Sequence, residues 1–240
     1  MVQSASLMPR PREQEDERVM RDMFTRIAPS YDFISVIFSY GMDRRWKRLG
    51  VKNAPLPENA RVLDLACGTG DFSTLLESRT PPARAVACDI TELMLTQARA
   101  RGIRDAVCAT GTSLPFADNS FDCVFVGYGL RNFPDLDAGL REIERVTRSG
   151  GVLVTLDFFL PANHVLRRIY LAYLYAQGLF WGLLLHGSPR IYTYIPDSIR
   201  NFLSIDDYSS LLERKGYARL DARAFIFGGI GLHWAVKRTP

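Results

Sequence analysis

Apolar residues follow two different rhythms along this chain of 240 residues, and the change between them divides it. From Glu13, the positions Val19, Met20, Met23, Phe24 and Ile27 share one face of a helix that ends at Ala28-Pro29. A second apolar helix is predicted from Asp32 to Tyr40, with Gly41 as its stop. Residues 1–12, with Pro9 and Pro11 among Arg and Ser, read as a mobile arm. After the loop "NAPLPEN" the helical stripes give way to short apolar runs of the kind that buried strands require. "RVLDLA" (61–66), "RAVACD" (84–89), "DAVCAT" (105–110), "FDCVFVGYG" (121–129) and "GVLVTLDFF" (151–159) are five such strands. Helices over 71–79, 91–101 and 136–147 fall between them, and the turn "RSGG" closes the last helix.

Strands alternating with helices predict an α/β fold, a Rossmann-like, doubly wound and mostly parallel sheet with helices on both faces. Near the end, a helix over 206–214 stops at Gly216, and strands over 217–227 and 232–237 joined by "GGIG" predict an antiparallel hairpin, for seven strands in all. Segment 158–205 breaks the alternation. Its 17 uncharged residues from Ile169 to Leu185 fall short of the ~20 that a membrane span needs. The expectation is a helix that lies between the protein and a membrane surface, or a lid over an apolar pocket. The chain therefore divides into a helical cover (13–57), a core (58–157), a cap insertion (158–205) and a final helix and hairpin (206–240).

At 47% apolar and 23% charged residues, composition excludes disorder, collagen and a small disulfide scaffold. The net charge of +4 is modest, but it is unevenly placed: residues 61–157 carry −3 and the flanks +7. An acidic core without a basic, aromatic-laced stripe argues against nucleic acid as a partner. Cys67, Cys88, Cys108 and Cys123 form no CxxC pair and read as buried free thiols of a cytoplasmic protein. His164, His186 and His233 lack metal-ligand spacing, so no metal is expected. The first 30 residues hold no apolar signal-peptide core.

The sharpest local signal is a strand, then "CGTG", then a helix, with Asp89 closing the next strand. Gly68 and Gly70 let backbone approach a ligand and present N–H groups at a helix start, which suits an anionic group. Asp89, 19 residues after Gly70, stands where an acid accepts ribose hydroxyls, with Ile90 beside it. This pattern fits NAD, FAD or S-adenosylmethionine. The missing third glycine tilts the choice, because Asp71 in the first helical turn opposes a pyrophosphate and suits a zwitterionic amino-acid end better. Asp64 either organises this loop or binds the cofactor's ammonium.

Together, "VLDLACGTGD", "CDI", "SLPFADNSFDCVFVGYGLRN" and "EIERVTRSGG" resemble the motif series of S-adenosylmethionine-dependent methyltransferases. "FTRIAPSYDFISVIFSYGMDRRWK", "GYGLRN" and "YIPDSIRNF" resemble one branch, the ubiquinone/menaquinone biosynthesis C-methyltransferases of the UbiE/MenG family. The likeness spans Arg21 to Lys237. It implies S-adenosylmethionine as cofactor, leaving as S-adenosylhomocysteine, with Thr69 at the methionine part and Asp89 at the ribose. It places Thr110 and Gly111 at the adenine, Gly127 across the pocket, and Tyr31 with Asp32 as a gate. Thr110 departs from the Asn or Asp of many relatives, and Gly127 from the Ser of some.

The implied reaction is methylation of a ring carbon of a polyprenylated hydroquinone, demethylmenaquinol first and a ubiquinone precursor second. A phenol with pKa near 10 needs help to ionise at neutral pH. Arg131, just after a strand end and beside Asn132, is the candidate for stabilising the phenolate; otherwise it pairs with Asp135 or Asp137 at the surface. Asp157 reads equally as a pocket residue or a cap. Tyr128, Tyr192, Tyr194 and His233 are candidates for the substrate channel, against aromatic packing under a lid for Tyr192 and Tyr194 and, as the first reading, a buried structural imidazole for His233. A lipid-tailed substrate implies peripheral contact with the cytoplasmic face of a membrane, and a homodimer is compatible with the sequence. The rivals are methylation of another apolar small molecule, a flavin or NAD oxidoreductase, and a non-catalytic lipid-binding module.

Overall fold

The computed structural model describes residues 11–188 and 190–239, so most of the expected arm lies outside the described residues. Seven strands form one sheet: β1 (Arg61–Leu65), β2 (Arg84–Asp89), β3 (Ala106–Cys108), β4 (Phe121–Gly127), β5 (Thr147–Phe158), β6 (Tyr217–Phe225) and β7 (Ile230–Lys237). Their order is β3-β2-β1-β4-β5-β7-β6. The first five run parallel, and β7 is antiparallel to both β5 and β6. Strand order reverses between β1 and β4, the place where open α/β sheets bind ligands outside their carboxyl ends.

Strand parity sorts the core into two layers. Val62, Phe125, Val154, Leu156 and Trp234 pack on one face with Phe38, Trp46 and Phe72, while Leu63, Val124, Val126 and Leu153 pack on the other with Leu140, Ile143 and Leu212. The helices supplying the first layer include α1 (Pro11–Ile27), α2 (Tyr31–Phe38), α3 (Asp43–Asn53) and α4 (Asp71–Glu77), with α5 (Glu92–Ala100) at the sheet's far end. α6 (Leu136–Val146) covers the second layer with α9 (Ile205–Arg214), and α7 (His164–His186) and α8 (Arg190–Arg200) form the cap.

Several boundaries correct the sequence reading. The first helix starts at Pro11, inside the expected arm. Among the described residues three helices precede β1 rather than two: α3, "DRRWKRLGVKN", is charge-dense, and its place is fixed by tertiary contacts. Trp234 Nε1 donates to the Gly50 carbonyl at 3.0 Å, and a Cβ on Gly50 would stand 3.4 Å from Leu232, so α3 seats on the sheet at its glycine. The third strand shrinks to three residues at the sheet edge, and Cys108 on it is exposed, unlike the buried thiols of Cys67, Cys88 and Cys123. The cap is two helices, packed closely where a Cβ on Gly178 would meet the Tyr192 carbonyl at 2.9 Å.

Asp64 ties the sheet to α4. Its buried Oδ2 accepts from the Ser73 amide at 2.8 Å and the Ser73 hydroxyl at 2.7 Å, so it organises the loop and does not line the cleft described below. Burial pushes its carboxyl up to about 7, against the opposing hydrogen bonds of Ser73. The folded state therefore holds this proton more tightly than the unfolded chain does, and stability from this group falls as pH rises toward 7. Asp64→Asn keeps an acceptor for Ser73 without the buried charge. In denaturant titrations it is expected to exceed the parent at about pH 8 by up to about 4 kcal/mol, the gap falling to about half by pH 5.5 and closing only near pH 4. A variant less stable than the parent throughout this range contradicts this.

Candidate active site

At the carboxyl ends of β1 to β4 the chain opens into a cleft of about 640 Å³ including its mouth. Leu65 and Ala66 follow β1, Asp89 and Ile90 close β2, Ala109, Thr110 and Gly111 follow β3, and Gly127, Tyr128 and Gly129 follow β4. Glu17, Met20 and Phe24 of α1, with Tyr31 of α2, form the opposite wall. Asn132, Phe133 and Pro134 complete it.

The glycine loop is held open by its backbone. Gly68 at φ +54° and Gly70 at φ +84° adopt left-handed conformations, and the Gly70 amide turns back to the Cys67 carbonyl at 3.0 Å. Asp89 fixes this loop to β2: Oδ2 accepts from the Gly68 amide and Oδ1 from the Thr91 amide, each at 2.9 Å. Burial raises the Asp89 carboxyl, while these amides oppose the rise.

The N-terminal helices are tied to this loop by a chain of charges. Thr69 donates to Asp32 Oδ1 at 2.8 Å; Arg101 bonds the other Asp32 oxygen and reaches Asp71 Oδ1 at 2.8 Å. Lys47, almost wholly buried, bonds Asp71 Oδ2 at 2.8 Å and Asp43 Oδ2 at 2.7 Å. Burial opposes the Lys47 charge, but Asp43 and Asp71 outweigh it and hold the ammonium above its ordinary pKa. Tyr31 stands over Gly68, its ring 3.2 Å from where a Cβ would be.

Tyr31, Tyr128 and Phe24 also wall a second chamber of about 510 Å³, so the two spaces share a partition. Its lining is apolar, with Ile27, Ile34, Phe38, Phe158 and Ile195, plus Tyr192 and Tyr194 from the cap. The charge in it is Arg131. Arg131 does not pair with Asp135, which caps α6, or with Asp137, which bonds Arg141 and Lys215. It pairs with Asp157 at 2.5 Å, side chains 5% and 0% exposed, and its guanidinium lies over the Phe158 ring at 4.9 Å. Burial opposes the Arg131 charge, and Asp157 reverses that and holds the pKa above its ordinary value. Asp157 in turn is raised by burial against the pull of Arg131 and accepts the Leu130 and Phe158 amides at 2.9 and 2.8 Å.

Tyr128 sits at φ +57°, an uncommon conformation for a buried aromatic residue. That turn aims its carbonyl at both Arg131, 3.0 Å away, and the Asn132 amide nitrogen, 3.1 Å away. Tyr194 donates to the Asn132 carbonyl oxygen, and burial pushes the Tyr194 phenol up to about 12. The sheet and cap thus present a fixed cation and a neutral phenol to one apolar chamber, with the Asn132 amide behind them on the side of the first cleft.

Of the candidates from sequence, Tyr31, Asp89, Ile90, Thr110, Gly111, Gly127, Tyr128 and Asn132 converge on the first cleft, and Arg131, Tyr192 and Tyr194 on the second. Gly68, Thr69 and Gly70 stand behind the first as its scaffold. Gly111 and Gly127 are also required by packing, since a Cβ would meet Phe133 at 2.5 Å and Phe72 at 2.8 Å. His233 is not brought to either chamber. On β7 it faces the α9 layer between Phe159 and Tyr208, and burial lowers its pKa to about 4. Glu17 was invisible to motif reading, because its partners Thr110 and Thr112 are distant in sequence; Lys47 closes one of the family motifs, but its bond to Asp71 is likewise long-range. Among the described residues, no three His, Cys, Asp or Glu side chains converge as metal ligands.

Comparison with known proteins bears on the family and the fold. The model of the ubiE/COQ5 methyltransferase family matches residues 12–237. The chain is 37% identical over 224 residues to the ubiquinone/menaquinone biosynthesis C-methyltransferase UbiE of Geobacter sulfurreducens, covering 90% of this chain and 86% of that one. It is 35% identical over 239 residues to the demethylmenaquinone methyltransferase of a Roseiflexus species, covering 98% and 99%. Among solved structures, a SAM-dependent methyltransferase of Thermotoga maritima, titled a possible histamine N-methyltransferase, superposes with a TM-score of 0.65 at 19% identity, covering 91% of this chain and all of that one. The fold is therefore that of S-adenosylmethionine-dependent methyltransferases, and the chain belongs to the ubiE/COQ5 methyltransferase family.

Proposed function

We propose that this methyltransferase moves a methyl group from S-adenosylmethionine to a ring carbon of a polyprenylated hydroquinone, with demethylmenaquinol as the foremost substrate. One observation carries the reading: a cleft lined by two carboxylates, Asp89 and Glu17, shares the Tyr31–Tyr128 partition with an apolar chamber holding one buried, carboxylate-supported guanidinium. The cleft suits the cofactor. The left-handed glycines shape the loop behind it, and Asp89 lines it as the acid for the ribose hydroxyls. When bound there, S-adenosylmethionine supplies an activated methyl group.

The chain's own residues supply orientation and charge. Tyr31 and Tyr128 set the boundary across which the ring meets the methyl donor, and the apolar lining excludes water. Arg131 meets the ring hydroxyl as its proton leaves to solvent, stabilising the phenolate that makes the adjacent carbon nucleophilic. Asp157 orients Arg131, and the Tyr194 hydroxyl, whose proton goes to Asn132, is left to accept from a ring hydroxyl. Overall the ring carbon gains the methyl group as the bond from sulfur to methyl breaks, and the displaced ring proton passes to solvent.

The prenyl tail connects this site to a membrane. No helix among the described residues is long and apolar enough to cross one. On α7, however, Val165, Ile169, Phe180, Leu183 and Leu184 are exposed, Phe180 by 59%, beside exposed Phe33 and Val36 of α2. Phe33 packs edge-on to Trp181 at 5.4 Å and Tyr40 stacks on Tyr173 at 5.7 Å, so the two helices share one apolar face. The basic flanks support docking of this face on an anionic bilayer.

Incubation with labelled S-adenosylmethionine and membrane lipid, followed by mass spectrometry, is expected to yield labelled menaquinol. Label in nucleic acid or protein, with none in a quinone, overturns the assignment. Arg131→Lys keeps a charge opposite Asp157 but loses the planar fork; turnover is expected to fall by about 10²-fold or more with S-adenosylhomocysteine affinity retained. An unchanged rate refutes the role of Arg131. Anionic liposomes are expected to bind the protein more tightly than neutral ones at low salt, and Phe180→Asp with Leu184→Asp to abolish that binding. Equal binding to both lipids contradicts the docking reading.

A further inference from the structure

Two carboxylates line the first cleft, and they come from different parts of the fold. Asp89 belongs to the sheet and is bonded to the glycine loop. Glu17 belongs to α1, in the helical cover, and is only 8% exposed although it lies on a surface helix. Its Oε1 accepts from the Thr110 hydroxyl at 2.6 Å and from the Thr112 hydroxyl at 2.8 Å. Those hydroxyls are 3.1 Å apart, so one carboxylate oxygen gathers the end of β3 into a small polar cluster. Around it the cleft is lined by Met20, Ile90, Gly111, Phe133 and Pro134, an apolar slot with Glu17 and the threonine at its edge.

This slot has the chemistry of a purine site. Flat apolar walls suit a base, but an exocyclic amine is a donor, and burying it without an acceptor is costly. The sheet supplies no carboxylate at this end, since Thr110 occupies the position after β3 and its own hydroxyl proton is already directed at Glu17. A carboxylate, by contrast, accepts about four hydrogen bonds, and two threonines do not exhaust it.

We propose that Glu17 is the acceptor for the 6-amino group of the cofactor's adenine, so that the helical cover, rather than the sheet, supplies recognition of the base. The proposal rests on S-adenosylmethionine being the cofactor. It makes adenine recognition and closure of the cover one event. With α1 displaced, the slot loses both its wall, through Met20 and Phe24, and its acceptor. With the base seated, α1 is held from Thr110 and Thr112 and through the ligand.

Binding of S-adenosylhomocysteine, measured by calorimetry without turnover, is compared with that of its analogue carrying hydrogen in place of the 6-amino group. The parent is expected to prefer the amine-bearing ligand by about ten- to a hundredfold, as for hydrogen bonds to charged groups. Glu17→Ala is expected to bring the ratio to within about threefold of unity, and Glu17→Gln, which keeps a neutral acceptor, to restore part of it. In hydrogen exchange, S-adenosylhomocysteine is expected to protect residues 15–27 in the parent and less so in Glu17→Ala. Equal weakening of both ligands by Glu17→Ala overturns the proposal, because it means that Glu17 only anchors the helix. A parent that shows no preference between the ligands also overturns it, whatever the variants do. Failure of the parent to bind either ligand refutes the cofactor assignment instead.

Discussion

The site depends on a buried ion pair. Arg131 and Asp157, both almost wholly removed from water, meet where β5 ends and the short turn after β4 begins. A guanidinium in an apolar chamber is tolerable only with a partner, and Asp157 is held in place by the Leu130 and Phe158 amides. The strained turn at Tyr128 adds a carbonyl to the same cation. The consequence is a positive charge fixed in a chamber of low polarity, beside a cleft shaped for a methyl donor. Charge placed in advance where an anion develops lowers a barrier without reorganisation during the reaction. Strand order explains the location, because the pair lies at the carboxyl ends of β4 and β5, next to the reversal point between β1 and β4.

A second set of charges governs the cover. Thr69, Asp32, Arg101, Asp71, Lys47 and Asp43 link α2 and α3 to the glycine loop and α5. The exposed members contribute little individually, whereas Lys47 is buried between two carboxylates and is costly to disturb. Tyr31 is carried by α2 onto Gly68, and Glu17 by α1 onto Thr110. Both chambers are thus finished by the N-terminal helices, whose apolar faces meet the cap through Phe33–Trp181 and Phe24–Tyr194.

Much of this was legible along the chain. Apolar runs marked the strands, the glycines and Asp89 marked the ligand end of the sheet, and the motif series marked the family. The remainder was hidden for physical reasons. α3 carries its apolar positions among six charges, so its burial depends on Gly50 meeting a sheet assembled from distant segments. Arg131 had two aspartates within six residues, yet chose one 26 residues away because strand pairing delivers it there. Glu17 and Thr110 are 93 residues apart and share no pattern. Parity excludes His233: Leu232 and Trp234 face the α2 and α3 layer, so the residue between them faces away from both chambers.

The central claim, that the buried Arg131–Asp157 pair promotes ionisation of the ring hydroxyl, is tested most directly on a ligand that ionises but is not methylated. A redox-inert hydroxynaphthalene, bound in the presence of S-adenosylhomocysteine, can be titrated by its absorbance. The account predicts that its hydroxyl ionises at a pH about one unit or more below that of the free compound, and that the neutral variant Arg131→Gln removes most of the difference. A bound hydroxyl that ionises at the same pH as the free compound, or above it, contradicts the account.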